Sequence, residues 1–188
     1  QQAENADSQP TLEELLAQLD ALVGLEGVKA EVHSLVNLMK VRRLREAGGL
    51  PTPPLSLHLV FVGNPGTGKT TVARLIGQLY RAIGILSQGQ LVEVDRSGLV
   101  AGYVGQTALK TQEVLQSALG GVLFLDEAYA LAPASPTDYG REAIEVLLKG
   151  MEDHRKDLVV IAAGYPEPME DFLHSNPGLA SRFPKTLV

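Results

Sequence analysis

The hydrophobic pattern of the chain changes its period near residue 50. Between residues 11 and 50 the apolar positions recur with helical spacing, which predicts a helix starting at Thr11 and a second helix over residues 25–47. Thr11 and Glu14 have the spacing of a capping box, in which each side chain bonds the backbone N–H of the other residue. The polar residues 1–10 that precede these helices are expected to be disordered.

From residue 51 onward, short apolar runs alternate with helical patterns. The runs predict strands at residues 57–62, 91–94, 121–125 and 158–163, with a fifth strand beginning at 185. Helices are predicted between them, over residues 69–83 and 107–119 and around the apolar positions Ile144, Leu147, Leu148 and Met151. This alternation predicts an α/β fold over residues 51–188, with a parallel sheet covered by helices on both faces.

The composition narrows the classes of function. The 188 residues are 45% hydrophobic and 20% charged, which is enough apolar material for a buried core. The absence of cysteine excludes disulfides, thiolate metal sites and cysteine nucleophiles. A net charge of −6 and the absence of tryptophan argue against a nucleic-acid partner. No apolar run is long enough for a membrane span, and we expect a cytoplasmic protein.

A glycine-rich segment marks a phosphate-binding loop. Residues 63–70 read GNPGTGKT and match G-x-x-x-x-G-K-[ST] between a predicted strand and a predicted helix. The loop glycines let backbone N–H groups curl around an anion, while Lys69 reaches the β- and γ-phosphates and Thr70 ligates Mg²⁺. The alternative is a tight strand–helix turn with a solvated lysine. The expected nucleotide-binding residues of the loop are Asn64, Pro65, Gly66, Thr67, Gly68, Lys69, Thr70 and Thr71.

Two adjacent carboxylates follow the third predicted strand. Asp126 and Glu127 end an apolar run, and in a parallel sheet that end faces the same crevice as the phosphate loop. Asp126 can hold Mg²⁺ through water, and Glu127 can polarise a water molecule for attack on the γ-phosphate. The alternative is an Asp-Glu pair that only ends the strand.

These motifs together resemble those of AAA+ ATPases. The segments that carry the resemblance are GNPGTGKT, LFLDEAYAL, VVIAAGY and NPGLASRF. They are most similar to the subfamily that holds the red-type Rubisco activase CbbX, the stage V sporulation protein K and the type VII secretion ATPase EccA. The resemblance runs from about Leu19 to the C-terminus. It implies a P-loop NTPase fold, a three-layer αβα sandwich with a five-stranded parallel sheet. Because no helical lid follows the sheet, the chain is expected to be the large ATPase subdomain, with weak hydrolysis in isolation.

The resemblance also implies roles for residues that spacing alone does not identify. Val23 and Gly24 are similar to a segment lying over the adenine, although an ordinary helix start would read the same way. Arg182 is similar to the arginine finger that reaches the γ-phosphate bound by a neighbouring subunit; the alternative is a surface arginine. The first sensor of the superfamily falls around Gly164 and Tyr165, where many relatives carry asparagine.

A further loop resembles the one with which AAA+ rings grip a polypeptide. Gly102 and Gly105 flank Tyr103 and Val104, an aromatic–hydrophobic pair. The alternative is a flexible turn ahead of a helix capped by Thr107. The resemblance to the pore loop therefore implies a protein substrate.

The motifs and the resemblance favour an ATP- and Mg²⁺-dependent module that, when the lid is present, works in a hexameric ring and remodels or threads a protein partner. The alternative is a nucleotide-gated switch or scaffold with little turnover. A DNA-dependent clamp loader or helicase is disfavoured by the negative charge and the Tyr-Val-Gly loop.

Overall fold

The computed structural model describes residues 9–52, 56–64, 68–103, 105–135 and 137–188. Its helices are α1 (Leu12–Asp20), α2 (Glu26–Ala47), α3 (Lys69–Ala82), α4 (Arg96–Leu99), α5 (Gln106–Ala118), α6 (Gly140–Asp153), α7 (Pro166–His174) and α8 (Pro177–Arg182), with a 3₁₀ helix at Ala128–Leu131. Its strands are β1 (Leu59–Val62), β2 (Leu91–Val94), β3 (Val122–Asp126), β4 (Val159–Gly164) and β5 (Lys185–Leu187). Within these ranges no helix combines the length and apolarity needed to cross a bilayer. Residues 1–8 of the leader expected to be disordered lie outside the described residues.

The five strands form one parallel sheet in the order β2-β3-β4-β1-β5. Val62 at the end of β1 is level with Gly164 at the end of β4. Asp126 at the end of β3 is level with Ala163. The carboxyl ends of the three central strands therefore meet at one edge of the sheet, and the predicted α/β fold with its five-stranded parallel sheet is confirmed.

The hydrophobic core lies in two layers, one on each face of the sheet. Successive strand residues point to opposite faces, so Phe61 joins the layer formed with α1, α2 and α3, while Val60 joins the layer formed with α5, α6, α7 and α8. Leu15 and Leu19 of α1 are fully buried in the first layer. The two N-terminal helices consequently share a core with the sheet.

The two predicted helix caps had different outcomes. The capping box is confirmed, since Thr11 N–H donates to Glu14 Oε2 at 3.1 Å and Glu14 N–H donates to Thr11 Oγ1 at 3.2 Å. The predicted cap at Thr107 is wrong. Gly105, with φ of 79°, turns the chain so that α5 begins one residue before Thr107. The buried Thr107 Oγ1 instead accepts the N–H of Ala101 at 3.0 Å.

His58 is a buried polar residue at the amino end of β1. Its Nδ1 accepts the N–H of Val160 at 2.9 Å, and its ring packs edge-on against Phe183. Burial lowers the pKa of His58 to about 4; a hydrogen bond to the backbone of Met151 opposes this shift and the charge of Arg182 adds to it. The imidazole is therefore neutral in the folded protein at neutral pH.

This shift predicts an acid-sensitive fold. Below pH 6.5 the unfolded chain protonates His58 while the folded chain does not, so stability is lost as the pH falls from 6.5 to 4, by up to about 3 kcal/mol. Urea unfolding at pH 7, 5.5 and 4.5 measures the loss. His58→Asn keeps an acceptor without a titrating ring and should show a smaller loss over this interval. An equal loss in His58→Asn and in His174→Asn, a change at an exposed histidine, would contradict the assignment.

Candidate functional site

The strand β1 leads directly into the phosphate loop and then into α3. Gly68 has φ of 84° and precedes the first turn of α3, where no side-chain cap and no acidic residue occupies the free N–H groups. Lys69 Nζ donates to the Gly63 carbonyl at 2.8 Å, which holds the ammonium beside the end of β1. A positive helix end and a lysine at the same point favour the binding of an anion.

The remaining residues of the loop are only partly described. Asn64 and Thr71 are exposed, and Thr70 is half-buried in the first turn of α3. Pro65, Gly66 and Thr67, which the sequence predicts to cradle the phosphates, lie outside the described residues. The described part of the loop is therefore its two ends, at the end of β1 and the start of α3.

The acidic pair lies at the same edge of the sheet. Asp126 is the last residue of β3 and is level with Ala163 of β4, which is in turn level with Phe61 of β1. With β4 between them, the backbones of β3 and β1 are roughly 10 Å apart. Asp126 is half-buried and Glu127 is exposed. A nucleotide at the phosphate loop would thus have both carboxylates on one side of its phosphates.

Two side chains at this edge are held on strained backbone. Among the described residues other than glycine, only Leu25 and Glu127 have positive φ, at 59° and 49°. The left-handed conformation costs about 1–2 kcal/mol for a residue with a side chain, and such strain concentrates at functional sites. Leu25 Cδ1 lies 3.6 Å from where a Cβ on Gly68 would stand, so this strained residue packs on the phosphate loop.

An apolar cavity of about 260 Å³ adjoins the loop. Its apolar walls come from the start of α2, the end of β1, α3 and the end of the chain: Leu25, Val28, Phe61, Val62, Val72, Leu187 and Val188. Asn64 and Lys69 stand at its polar side. Apolar walls with a few polar groups suit a nucleotide base joined to phosphates at the loop, so the residues present fit ATP.

Neither of the two residues expected to contact the adenine, Val23 and Gly24, is part of the lining of this cavity. Val23 is 98% exposed and is not part of its lining. Gly24 has φ of 72°, and no atom of the described residues lies within 4 Å of a Cβ built on it. Leu25 and Val28, which follow Gly24 in the sequence, do line the cavity. The sequence did not identify Leu25, because no spacing rule signals a left-handed leucine. Val28 lies within the helix predicted over residues 25–47, where an apolar residue indicates only packing.

Two tyrosines lie near the acidic pair. The ring of Tyr129 covers Gly164, since a Cβ there would stand 2.7 Å from Tyr129 Cε1. Burial raises the pKa of Tyr129, and the neighbouring Glu127, Tyr165 and Asp126 raise it further. Gly164 ends β4, so the first sensor position expected from the sequence lies at the same edge of the sheet as the phosphate loop and the acidic pair. Tyr129 was not predicted; its only signal is its place two residues after Glu127.

The loop that carries Tyr103 has an anchored base and an exposed tip. At its base Thr107 accepts the N–H of Ala101, Thr111 Oγ1 donates to the Leu99 carbonyl at 3.1 Å, and Lys110 Nζ donates to the Ser97 carbonyl at 2.6 Å. Tyr103 itself is 77% exposed. Val104, the other residue expected to grip a polypeptide, lies outside the described residues. Three side chains of α5 thus hold the base while the tyrosine faces outward.

A cavity of about 430 Å³ connects this loop base to the acidic pair. Its lining includes Val100 and Ala101 on the loop side and Asp126 and Glu127 on the other. Arg96, which also lines this cavity, links the segment before the loop to the segment that follows Glu127. Its Nη1 donates to the Ala130 carbonyl at 2.8 Å, and its Nη2 donates to Asp138 Oδ1 at 2.8 Å. The bond to Arg96 lowers the pKa of Asp138 to about 2, which keeps this bridge charged at physiological pH.

Arg182 lies at the amino ends of the strands, opposite the phosphate loop and the acidic pair. It ends α8, three residues before Lys185, which is level with Leu59 at the amino end of β1. Its Nη2 is 3.6 Å from Glu152 Oε2, and its backbone carbonyl accepts from Ser56 Oγ at 2.9 Å. Strand β1 therefore separates Arg182 from the phosphate loop of its own chain.

Comparison with known proteins identifies relatives over nearly the whole chain. The family model described as "ATPase family associated with various cellular activities (AAA)" matches residues 59–187. The plasmid protein CbxX of Cupriavidus necator is 54% identical over 171 residues, which cover 90% of this chain and 54% of that protein. Stage V sporulation protein K of Bacillus subtilis is 47% identical over 173 residues, covering 92% of this chain and 54% of the relative.

A chloroplast protein extends this set. The ribulose bisphosphate carboxylase/oxygenase activase of Cyanidioschyzon merolae is 49% identical over 176 residues, covering 93% of this chain and 60% of that protein. The chain therefore spans little more than half the length of these relatives. Their names confirm the subfamily that the sequence motifs predicted.

The strain at Glu127 predicts that a substitution there can stabilise the fold. Asparagine tolerates the left-handed conformation better than glutamate, and the exposed Glu127 side chain contributes little packing. Glu127→Asn should raise the free energy of unfolding by up to about 1 kcal/mol, measured by urea denaturation. Glu127→Ala is the matched control, because alanine does not relieve the strain. If the two variants are equally stable, Glu127 is not strained.

Proposed function

The chain belongs to the AAA family of ATPases, and we propose that it binds and hydrolyses ATP as one subunit of a ring that remodels a protein partner. The observation that carries the proposal is the meeting, at one edge of a parallel sheet, of a phosphate loop with two carboxylates. Residues 11–50 act in this proposal as N-terminal helices of the module and residues 51–188 as its ATPase core.

Binding is assigned to the phosphate loop and the apolar cavity beside it. The free N–H groups at the start of α3 and the ammonium of Lys69 neutralise the phosphates, while Leu25 and Val28 contact the base. Mg²⁺, when bound with the nucleotide, would neutralise charge on the β- and γ-phosphates. Thr70 and Asp126 would hold it, and because a phosphate-bound Mg²⁺ needs only one or two protein carboxylates, this pair suffices.

Hydrolysis is assigned to Glu127. Its carboxylate follows Asp126 on strained backbone, is exposed to water, and lines the cavity of about 430 Å³ together with Asp126. There it orients a water molecule and accepts its proton during attack on the γ-phosphate. Keeping a carboxylate on strained backbone is consistent with a catalytic rather than a structural role.

Assembly into a ring explains the place of Arg182. At the amino ends of the strands its guanidinium cannot serve the nucleotide of its own subunit. It is one-third exposed, lies 3.6 Å from Glu152 and donates to Ser181 Oγ at 3.3 Å. A neighbouring subunit that presents its phosphate loop to this edge would receive the arginine. The hexamer proposed from the motifs provides such a neighbour for every subunit.

A protein partner is proposed for the exposed Tyr103. An aromatic residue on an anchored loop can grip a polypeptide without sequence preference. Arg96 and the cavity next to Glu127 join the base of this loop to the hydrolysis site, which offers a route by which the state of the phosphates moves the loop. From the sequence, including its net charge of −6, we also propose that the protein is cytoplasmic and has no nucleic-acid partner.

If Arg182 acts on the nucleotide of a neighbouring subunit, two inactive variants should complement each other in mixed rings. In the assembled ring, Glu127→Gln should bind ATP but lose turnover, because an amide cannot accept the proton. Arg182→Ala should cut turnover by about 10³ or more. Mixing the two proteins should restore activity, since one interface then pairs an intact Glu127 with an intact Arg182. Phosphate release from the mixture, followed at increasing ratios of the two proteins, measures the effect.

The control for this experiment is Arg141→Ala, a change at an exposed arginine of α6, which should retain turnover on its own. A mixture that stays inactive while rings form would remove Arg182 from the mechanism. Turnover by Glu127→Gln equal to that of the parent would remove Glu127 from the catalytic role, and a parent ring that binds ATP without turnover would overturn the ATPase proposal in favour of a nucleotide-gated switch.

A further inference from the structure

Lys29, in the first turn of α2, is the only lysine or arginine that is buried in the described part of the chain. Only 8% of its surface is exposed. The proposed hydrolysis mechanism does not use this residue. Because a buried amino group is costly unless it is hydrogen-bonded, the partners of Lys29 show what it does in the fold.

The partners of Lys29 lie mainly on the backbone at the end of α1 and in the turn that follows. Its Nζ donates to the Asp20 carbonyl at 3.2 Å and to the Leu22 carbonyl. A third bond, at 3.3 Å, goes to the Glu26 carboxylate, whose side chain is 85% exposed. The last turn of α1 contains no basic residue of its own, so a lysine of the next helix satisfies these carbonyls.

The bonds of Lys29 join the two sides of a strained turn. Gly24 and Leu25 have φ of 72° and 59°, and they lie between the carbonyl of Leu22 and the start of α2. Two consecutive left-handed residues persist only where the surrounding structure holds them, and the leucine carries the larger cost. Lys29 holds both sides of this turn, because it belongs to α2 and donates to the backbone before the turn.

A second polar contact between α1 and α2 is more exposed. His33 Nε2 lies 2.8 Å from Asp20 Oδ1, and the two side chains are 38% and 55% exposed. Pairs with this exposure stabilise a fold little, since water and salt screen them. The buried bonds of Lys29 are therefore the stronger polar connection between the two helices.

Leu25 connects this turn to the nucleotide site. Its side chain lines the apolar cavity assigned to the base, and its Cδ1 lies 3.6 Å from where a Cβ on Gly68 would stand. Lys29 itself is not part of the cavity lining. We propose that Lys29 is a positioning residue for the nucleotide base, because it fixes the turn that places Leu25 in the cavity. This inference rests on the proposed nucleotide site.

Loss of Lys29 should weaken the binding of ATP more than that of a ligand that has phosphates but no base. Lys29→Met keeps the apolar stem and removes the amino group. Calorimetric titration should show about tenfold weaker binding of ATP with Mg²⁺, because the turn then adopts the binding conformation in only about a tenth of the molecules. Inorganic tripolyphosphate with Mg²⁺, which can occupy only the phosphate loop, should bind Lys29→Met as it binds the parent.

Leu25→Ala tests whether the effect of Lys29 passes through Leu25. This variant should also weaken the binding of ATP and leave that of tripolyphosphate unchanged. Combining it with Lys29→Met should add little further loss, because both changes remove the same contact with the base. Full additivity, in which the two losses of affinity multiply, would overturn the proposal.

The matched control is Lys40→Met, the same change at an exposed position of α2, which should bind both ligands as the parent does. Lys29→Gln keeps a donor, should lose less affinity for ATP than Lys29→Met, and replaces it if Lys29→Met does not fold. Parent affinity for ATP in the Lys29 variants, or equal weakening of ATP and tripolyphosphate, would assign Lys29 to the stability of the fold alone and overturn the proposal. Failure of the parent to bind ATP would instead overturn the nucleotide site itself.

Discussion

The parallel alignment of β1, β3 and β4 is the constraint on which the rest of the molecule depends. Because the three strands run in the same direction and end at the same level, the residues that follow them meet at one edge. The phosphate loop, the acidic pair and the Gly164–Tyr165 corner are far apart in sequence and adjacent in space for this reason alone. Any change of register in β4 would separate Asp126 from the loop by moving its level relative to Phe61.

That edge also explains where the chain tolerates strain. Leu25 and Glu127 adopt backbone conformations that cost energy, and both contribute to the candidate site. The two buried layers that cover the sheet stabilise the fold, and this stabilisation offsets the cost of the strained backbone at Leu25 and Glu127. A fold with its core on both faces of a parallel sheet can keep unfavourable geometry at one edge without losing its structure.

The sequence indicated most of the fold because strand and helix periods were clear. Asp126 and Lys69 were found from motifs whose chemistry fixes both residue type and spacing. Tyr129 and Leu25 were not found, since their roles come from a ring packed on Gly164 and a left-handed turn packed on Gly68, contacts that no period encodes. Thr107 was misassigned because Gly105 begins α5 earlier than a threonine cap would.

Nucleotide binding by the isolated chain tests the central claim most directly. Titration of the chain with ATP and Mg²⁺ should give saturable binding, and Lys69→Ala should weaken it roughly 10- to 150-fold. That is the loss expected from removing charge-assisted bonds of about 1.5–3 kcal/mol. Lys149→Ala, at an exposed lysine of α6, should bind as the parent does. Equal affinity of the parent and Lys69→Ala for ATP would contradict the assignment of the phosphate loop.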